Sequence, residues 1–350
     1  MEGAIGPGPR NLITDVDGIA VGNAEAASVR SGVTVVLPDR RAVAAVDVRG
    51  GAPGTRETDA LDPACLVEAV DAVVLSGGSA FGLDAAQGAM LWLAARGRGF
   101  RVGPAVVPIV PAAILFDLAN GGDKAWTGGG TGGGATEPPY RALGGAACDA
   151  AGRDFALGNA GAGLGAKAGG LKGGLGSVSA VAADGLQVGA LVAANPVGHV
   201  AMPGTGTFWA WPFEMAGELG GQRPPAAAPP PGAGLEPPRA SAAIGANTTL
   251  GVVATNLRLT KAEARRVAVM AQDGYARAIR PVHTPYDGDT VFVLSTGTLD
   301  LDAPRPELLY RVGALAADCV ARAVARGVFE AEALGRFPAY RERWSAAFGA

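Results

Sequence analysis

Short apolar, β-like runs alternate with turn signals along the first part of the chain. Residues 13–21, 33–37, 43–48 and 72–75 are such runs, which predicts β-strands. After Ser76-Gly77-Gly78-Ser79 the pattern changes. Leu83, Ala86, Met90, Leu91 and Leu93 share one face at helical spacing, predicting a buried helix over 80–96 directly after a strand. Residues 106–118 read as two strands interrupted by Pro111, 121–139 as a polar loop containing the glycine run at 128–134, and 141–151 as a helix. Apolar runs at 178–182 and 188–193 flank Ala183-Asp184-Gly185. They predict a hairpin, because Asp-Gly tolerates positive φ.

The second half opens with a break in pattern. Residues 222–240 hold seven prolines and two glycines with almost nothing to bury, which predicts an extended surface tether. The β-branched run at 250–255 then predicts a buried strand. Thr260 and Glu263 form a capping-box pair ahead of Ala264, Val267, Ala268 and Ala271, so a helix is expected over 260–279. A strand at 290–294 and a long helix at 306–328 follow, and the aromatic-bearing tail to Phe348 is expected to pack on the body or on a neighbour. No repeat of fixed period occurs.

Composition narrows the function classes. The 350 residues include 55 Gly and 25 Pro, about twice average usage, but no Gly-X-Y period; 49% hydrophobic against 17% charged residues predicts a folded, loop-rich protein. Net charge is −3 and no basic stripe is present, so neither nucleic acid nor a phosphate backbone is an expected partner. Only four of the 29 basic residues are lysines, and two of them, Lys167 and Lys172, flank one glycine cluster. The three cysteines, Cys65, Cys148 and Cys319, lack Cys-x-x-Cys spacing, which argues against a disulfide framework and a zinc site. The first eighteen residues have neither a basic nor an apolar stretch, and no long apolar run occurs later. A cytoplasmic protein is expected, with no membrane association, no metal and no cofactor.

Several candidate chemistries fail on local grounds. Gly161-Ala162-Gly163-Leu164-Gly165-Ala166, with Asp184 downstream, matches a dinucleotide fingerprint, but Gly169, Gly170, Gly173 and Gly174 preclude the helix that the mechanism needs. Ser79 sits at a strand-to-helix turn yet lacks the second glycine of a nucleophile elbow. The two histidines, His199 and His283, lie in turns and read as structural. Asn247-Thr248-Thr249 reads, from composition, as the start of a strand. Its position offers a second reading: a tether ending at a threonine that opens a buried strand suits a chain cut between Asn247 and Thr248. A free N-terminal threonine carries its own base, since an α-amine titrates near about 7.7–8.0 and can take the Oγ1 proton, so no histidine is required.

At this point the chain resembles the self-cleaving N-terminal-nucleophile hydrolases that include L-aminopeptidase/D-esterase, the β-aminopeptidases and the nylon-oligomer (6-aminohexanoate-oligomer) endohydrolase. The resemblance spans nearly the whole sequence. It is carried by Ala45-Val46-Asp47-Val48-Arg49-Gly50-Gly51, Leu75-Ser76-Gly77-Gly78-Ser79-Ala80-Phe81-Gly82-Leu83, Gly158-Asn159-Ala160-Gly161-Ala162-Gly163, Leu171-Lys172-Gly173-Gly174, Ala194-Asn195-Pro196-Val197-Gly198, Asn247-Thr248-Thr249, and His283-Thr284 with Asp287-Gly288-Asp289-Thr290. The Asn-Thr-Thr junction is more similar to the nylon-oligomer hydrolase than to the Gly-Ser junction of the aminopeptidase branch.

The resemblance implies an α+β fold, a four-layer α/β/β/α sandwich with two β-sheets between helical layers. It implies self-cleavage into residues 1–247, which include the tether, and 248–350, together forming one globular domain. Homo-oligomers of cleaved protomers, a tetramer favoured, are expected. Thr248 would be the nucleophile, Asn195 an oxyanion donor, Lys172 a cation that favours the neutral amine, and Asp287 and Asp289 the groups orienting the Thr248 amine and hydroxyl. Gly78, Ser79 and Phe81 would lie on the substrate side; Phe81 stands where some members have tyrosine, so no phenolic contribution carries over. The expected substrates are short amides with a free amine, either aminoacyl peptides or 6-aminohexanoate oligomers. An unprocessed binding or scaffold protein of this fold, and an acyltransferase to an amine acceptor, remain alternatives.

Overall fold

Strand 250–257 shows how the chain is layered. Leu250, Val252 and Ala254 enter one apolar core while Val253 and Leu257 enter another, because successive side chains of a strand point to opposite faces. A strand covered on both faces reads as an unbroken apolar run, as residues 250–254 of this one do. The computed structural model describes residues 5–127, 137–225, 227–236 and 247–345.

In chain order, β1 (Ile5–Gly6), β2 (Ile19–Ala26), β3 (Ser31–Pro38), β4 (Ala42–Val48), β5 (Thr55–Arg56), β6 (Ala69–Val70) and β7 (Val73–Ser76) precede helix α1 (Ala85–Ala95). Next come β8 (Phe100–Val102), β9 (Ala105–Val107), β10 (Ala112–Ile114), helix α2 (Tyr140–Asp149), β11 (Lys167–Ala168), β12 (Leu171–Lys172), β13 (Gly174–Ala182) and β14 (Gln187–Ala194). The last part contributes β15 (Leu250–Leu257), α3 (Lys261–Ala278), β16 (Thr290–Leu299), α4 (Arg305–Glu330) and α5 (Tyr340–Arg343).

The larger sheet has seven strands in the order β1-β13-β14-β15-β16-β4-β6, and the smaller has five in the order β2-β3-β7-β10-β5. Helices α3 and α4 cover the outer face of the larger sheet, and α1 and α2 that of the smaller. Three apolar layers separate these four. Val178, Val188 and Val291 meet Val267 and Val320 under α3 and α4. Between the sheets Val36 and Leu75 share a core with Leu191, Val252 and Phe292, while Val33, Val35 and Val74 meet Ala86, Leu93 and Tyr140. This is the α/β/β/α sandwich that the resemblance implied. Glycines let the layers close: a Cβ on Gly176 of β13 would overlap the Ala323 carbonyl of α4.

Several expectations shift. Residues 13–21 are not one strand: Ile13–Asp15 forms a 3-10 turn and β2 starts at Ile19. The Asp15 carboxylate causes this, since it accepts the Arg10 and Leu12 amides at 3.1 and 3.2 Å and the Ser179 hydroxyl at 2.8 Å. Gly18, at φ +84°, then turns the chain into β2. The helix expected over 80–96 begins at Ala85, because Ser79–Asp84 winds as a 3-10 segment. Pro111 does separate two strands, and the hairpin after β13 closes with the Ala182 amide donating to the Leu186 carbonyl at 2.9 Å. The capping box of α3 is present, with Thr260 N to Glu263 Oε2 at 2.8 Å and Glu263 N to Thr260 Oγ1 at 3.3 Å. Gly161–Gly163 is a short 3-10 turn, not a helix start. In the tail, Tyr340 stacks on Phe208 with ring centroids 4.1 Å apart. The described part of the tether, 222–225 and 227–236, has neither helix nor strand. The glycine run at 128–134, the remainder of the tether and Phe348 lie outside the described residues. Among the described residues, no helix is long and apolar enough to cross a membrane.

Candidate active site

The C-terminal end of β14 meets the N-terminal ends of β15 and β16 at one end of the larger sheet's central strands. Asn247, Thr248 and Thr249 enter β15 there and are 4%, 1% and 0% exposed. The β14–β15 register, in which Ala193 faces Leu250, continues two residues further: the Thr248 amide donates to the Asn195 carbonyl at 2.8 Å. On the other side Thr290 N donates to Thr249 O at 3.1 Å, and Thr249 N to Asp289 Oδ1 at 2.9 Å. Thr248 is thus pinned between two strands. Its hydroxyl donates to the carbonyl of Asn247.

The loop before β16 wraps this residue. Asp287 Oδ1 accepts the Val197 amide at 3.0 Å, and Oδ2 accepts the Thr284 amide and hydroxyl at 3.2 and 2.5 Å. Asp289 Oδ2 is held by the His283 amide at 3.1 Å and by His283 Nδ1 at 2.9 Å. Burial first, and the charge of Asp289 second, raise the Asp287 carboxyl above its usual range. Between the carboxylates, Gly288 leaves room for the threonine: a Cβ there would lie 2.7 Å from Thr248 Oγ1 and 2.8 Å from the Ala52 carbonyl. The hydrogen bonds of both carboxylates go to Val197, Thr284, His283 and Thr249, so Asp289 reaches the residue after the threonine and the Thr248 hydroxyl turns to Asn247 instead.

Asn195 and Lys172 complete the neighbourhood. Asn195 Oδ1 accepts the Lys167 amide at 3.0 Å, and Nδ2 donates to the Phe116 carbonyl at 3.3 Å, leaving one N–H of the amide uncommitted among these bonds. Lys167 pairs with Lys172 across β11 and β12. Lys172 is fully buried, with Nζ donating to Gly163 O at 2.9 Å and Gly173 O at 2.7 Å. Burial drives its ammonium down to about 7, and Asp117 opposes that fall.

Gly78, Ser79 and Phe81 occupy a separate turn. Gly78 N donates to Asp117 Oδ1 at 2.8 Å and Ser79 N to Leu115 O at 3.0 Å, whereas Phe81 is 43% exposed. None of these hydrogen bonds joins them to Thr248. In the sequence His283 reads as structural; its ring holds Asp289, and its adjacency to the Asp-Gly-Asp motif was the signal for that contact. Sequence reasoning passed over Asp117, which carried no local signal, because the strand end and the glycine turn it joins are far apart in sequence. Among the described residues, no group of three or more His, Cys, Asp or Glu could hold a metal ion.

The model of one protein family, peptidase family S58, matches residues 11–339. The chain belongs to peptidase family S58. Curated relatives of this S58 protein include an uncharacterized aminopeptidase of Mycobacterium tuberculosis, 46% identical over 97% of this chain and 99% of that one. A 6-aminohexanoate-oligomer endohydrolase of Agromyces sp. is 29% identical over 84% of this chain and 77% of its own. Among solved structures, the L-aminopeptidase D-Ala-esterase/amidase of Ochrobactrum anthropi matches with TM-score 0.69 at 21% identity, covering 99% of this chain and 97% of that one. A Burkholderia sp. β-aminopeptidase matches with TM-score 0.65 at 21% identity over 95% and 90%. The S58 chain therefore has a variant of the N-terminal-nucleophile hydrolase fold and is a hydrolase acting on amide bonds.

Proposed function

We propose that this S58 hydrolase cuts its own chain between Asn247 and Thr248 and that the freed Thr248 attacks amide substrates. The observation that carries the reading is the Thr248 hydroxyl resting on the Asn247 carbonyl, in a residue whose backbone is bonded to Asn195 and whose successor is bonded to Asp289. Such anchoring holds nucleophile and carbonyl together before any bond changes. In self-cleavage Oγ1 attacks the Asn247 carbonyl carbon, the C–N bond breaks as the nitrogen takes a proton, and an ester links Asn247 to Thr248. Water then hydrolyses the ester, leaving a carboxylate on Asn247 and a free amine on Thr248.

In turnover the same amine accepts the Oγ1 proton as the hydroxyl attacks a substrate amide. The oxyanion takes the uncommitted N–H of Asn195, a contribution of about 3 kcal/mol when such a donor is well placed. Lys172, when charged, favours the neutral amine, and Asp287 and Asp289 hold the loop that confines Thr248. The leaving amine takes the proton and water releases the acyl group. Short amides with a free amine are the substrate class, in line with relatives named aminopeptidase and 6-aminohexanoate-oligomer endohydrolase. Assembly of cut protomers into a homo-oligomer, a tetramer, and a cytoplasmic location belong to the same reading.

Denaturing electrophoresis with intact-mass measurement tests it. The 350-residue, 34.7 kDa chain should give fragments 1–247 and 248–350, and Thr248→Ala should stay whole. A wild-type chain that remains uncut after prolonged incubation sinks the reading.

A further inference from the structure

A narrow cleft opens beside Asn195, lined by Phe116, Asn120, Lys167, Arg336 and Phe337, with Asp117 at its floor. It borders the candidate site directly, because two of its lining residues hold the Asn195 side chain: Lys167 through its amide at 3.0 Å and Phe116 through its carbonyl at 3.3 Å. The carbonyl of the same Asn195 holds Thr248. The cleft is thus tied to the candidate site through Asn195, whose side chain its lining holds and whose backbone holds Thr248.

The charge in this cleft is unusual. Lys167 is lowered from its ordinary value by burial first and by the positive charge of Arg336 second, so the fold holds two cations together at a free-energy cost. Neither forms an ion pair among the described residues, and the ring of Phe337, 5.2 Å from the Arg336 guanidinium, supports that side chain from one side. Asp117 does not neutralise them. It is 2% exposed, its Oδ1 is taken by the Gly78 amide, and the cations it influences from behind are Lys124 and Lys172. Two cations without an ion pair, in a cleft that Phe116 and Phe337 also line, complement an anion on an apolar chain.

We propose that Lys167 and Arg336 form a subsite for the terminal carboxylate of the substrate's leaving portion, so that the enzyme favours short amides ending in a free acid over the same compounds capped as amides. The preference would make the protein selective for dipeptides and short amino-acid oligomers rather than for interior peptide bonds. This inference rests on the proposed function: when Thr248 attacks an amide whose free amine is on the acyl portion, a terminal carboxylate belongs to the portion that leaves.

The test compares dipeptides as free acids and as C-terminal amides. The ratio of kcat/KM, acid over amide, should be about fivefold or more in the wild type and fall toward one in Arg336→Gln and in Lys167→Gln. Raising the salt concentration should shrink the wild-type ratio, because exposed charges are screened. A wild-type ratio near one, a preference for the amide, or a ratio unchanged in both variants overturns the subsite. Calorimetric binding of the same acid and amide pair to wild type and Arg336→Gln separates the two readings. Should the chain neither cut itself nor turn over, an acid preference that Arg336→Gln removes would keep the subsite and discard the nucleophile; no acid preference would discard both.

Discussion

At the residue scale the site is a matter of what surrounds one threonine. Gly288→Ala puts a carbon 2.7 Å from Thr248 Oγ1 and 2.8 Å from the Ala52 carbonyl, well inside normal contact, so self-cleavage should slow by about tenfold or more at a stability cost of about 1–3 kcal/mol. A time course of fragment appearance checks this; wild-type kinetics would remove Gly288 from the account. Lys172 gives a pH signature. Its folded-state value near about 7 lies below the ordinary 10.5, so between these limits the unfolded chain binds a proton that the folded chain does not. Stability should therefore rise with pH across that window, and below about 7 the full burial penalty applies. Lys172→Met, which has no such proton, should lose the rise in urea unfolding measured at about pH 6.5 and about pH 9.5; equal slopes in both proteins would show that the ammonium stays charged. Thr248 and Lys172 stood out in the sequence through motif and scarcity, and the structure buries both. His283 did not, because whether a turn histidine meets a carboxylate depends on a loop path that spacing does not describe.

At the element scale, short periodic runs translated well where both faces of a strand are buried. The run at 250–255 reads as a strand because Val252 and Val253 each find a core. Boundaries failed where a side chain captured the backbone, as Asp15 does before β2, since an apolar pattern carries no record of such capture. Helix α3 tests local coding directly. It links β15 to its parallel neighbour β16, and its N-terminus is closed by the reciprocal Thr260–Glu263 bonds. Thr260→Ala should lower stability by about 1 kcal/mol in denaturant titration while leaving fragment yield unchanged. A loss several times larger would mean that the cap also fixes the crossover.

At the scale of the whole molecule, the proposed cut divides one sheet rather than two domains. β15 and β16 come from residues 248–350 and lie between β14 and β4 of residues 1–247, so the fragments share backbone ladders and two apolar cores. Fragments from a cut chain should co-elute as one particle in native buffer and separate only in denaturant, as size exclusion with light scattering would show. Fragments that part without denaturant would contradict the shared sheet. The sequence by itself determined where most strands and helices lie, the proline-rich stretch and the family. These are local in the chain, or survive as ordered motifs along it. The tertiary structure alone decided that Asn195, Thr248 and Asp289 meet at one end of the central strands, that Lys172 is buried, and that Lys167 and Arg336 line one cleft. Those outcomes follow from strand order and register, which bring residues tens to hundreds of positions apart into hydrogen-bond range and which the linear pattern does not encode.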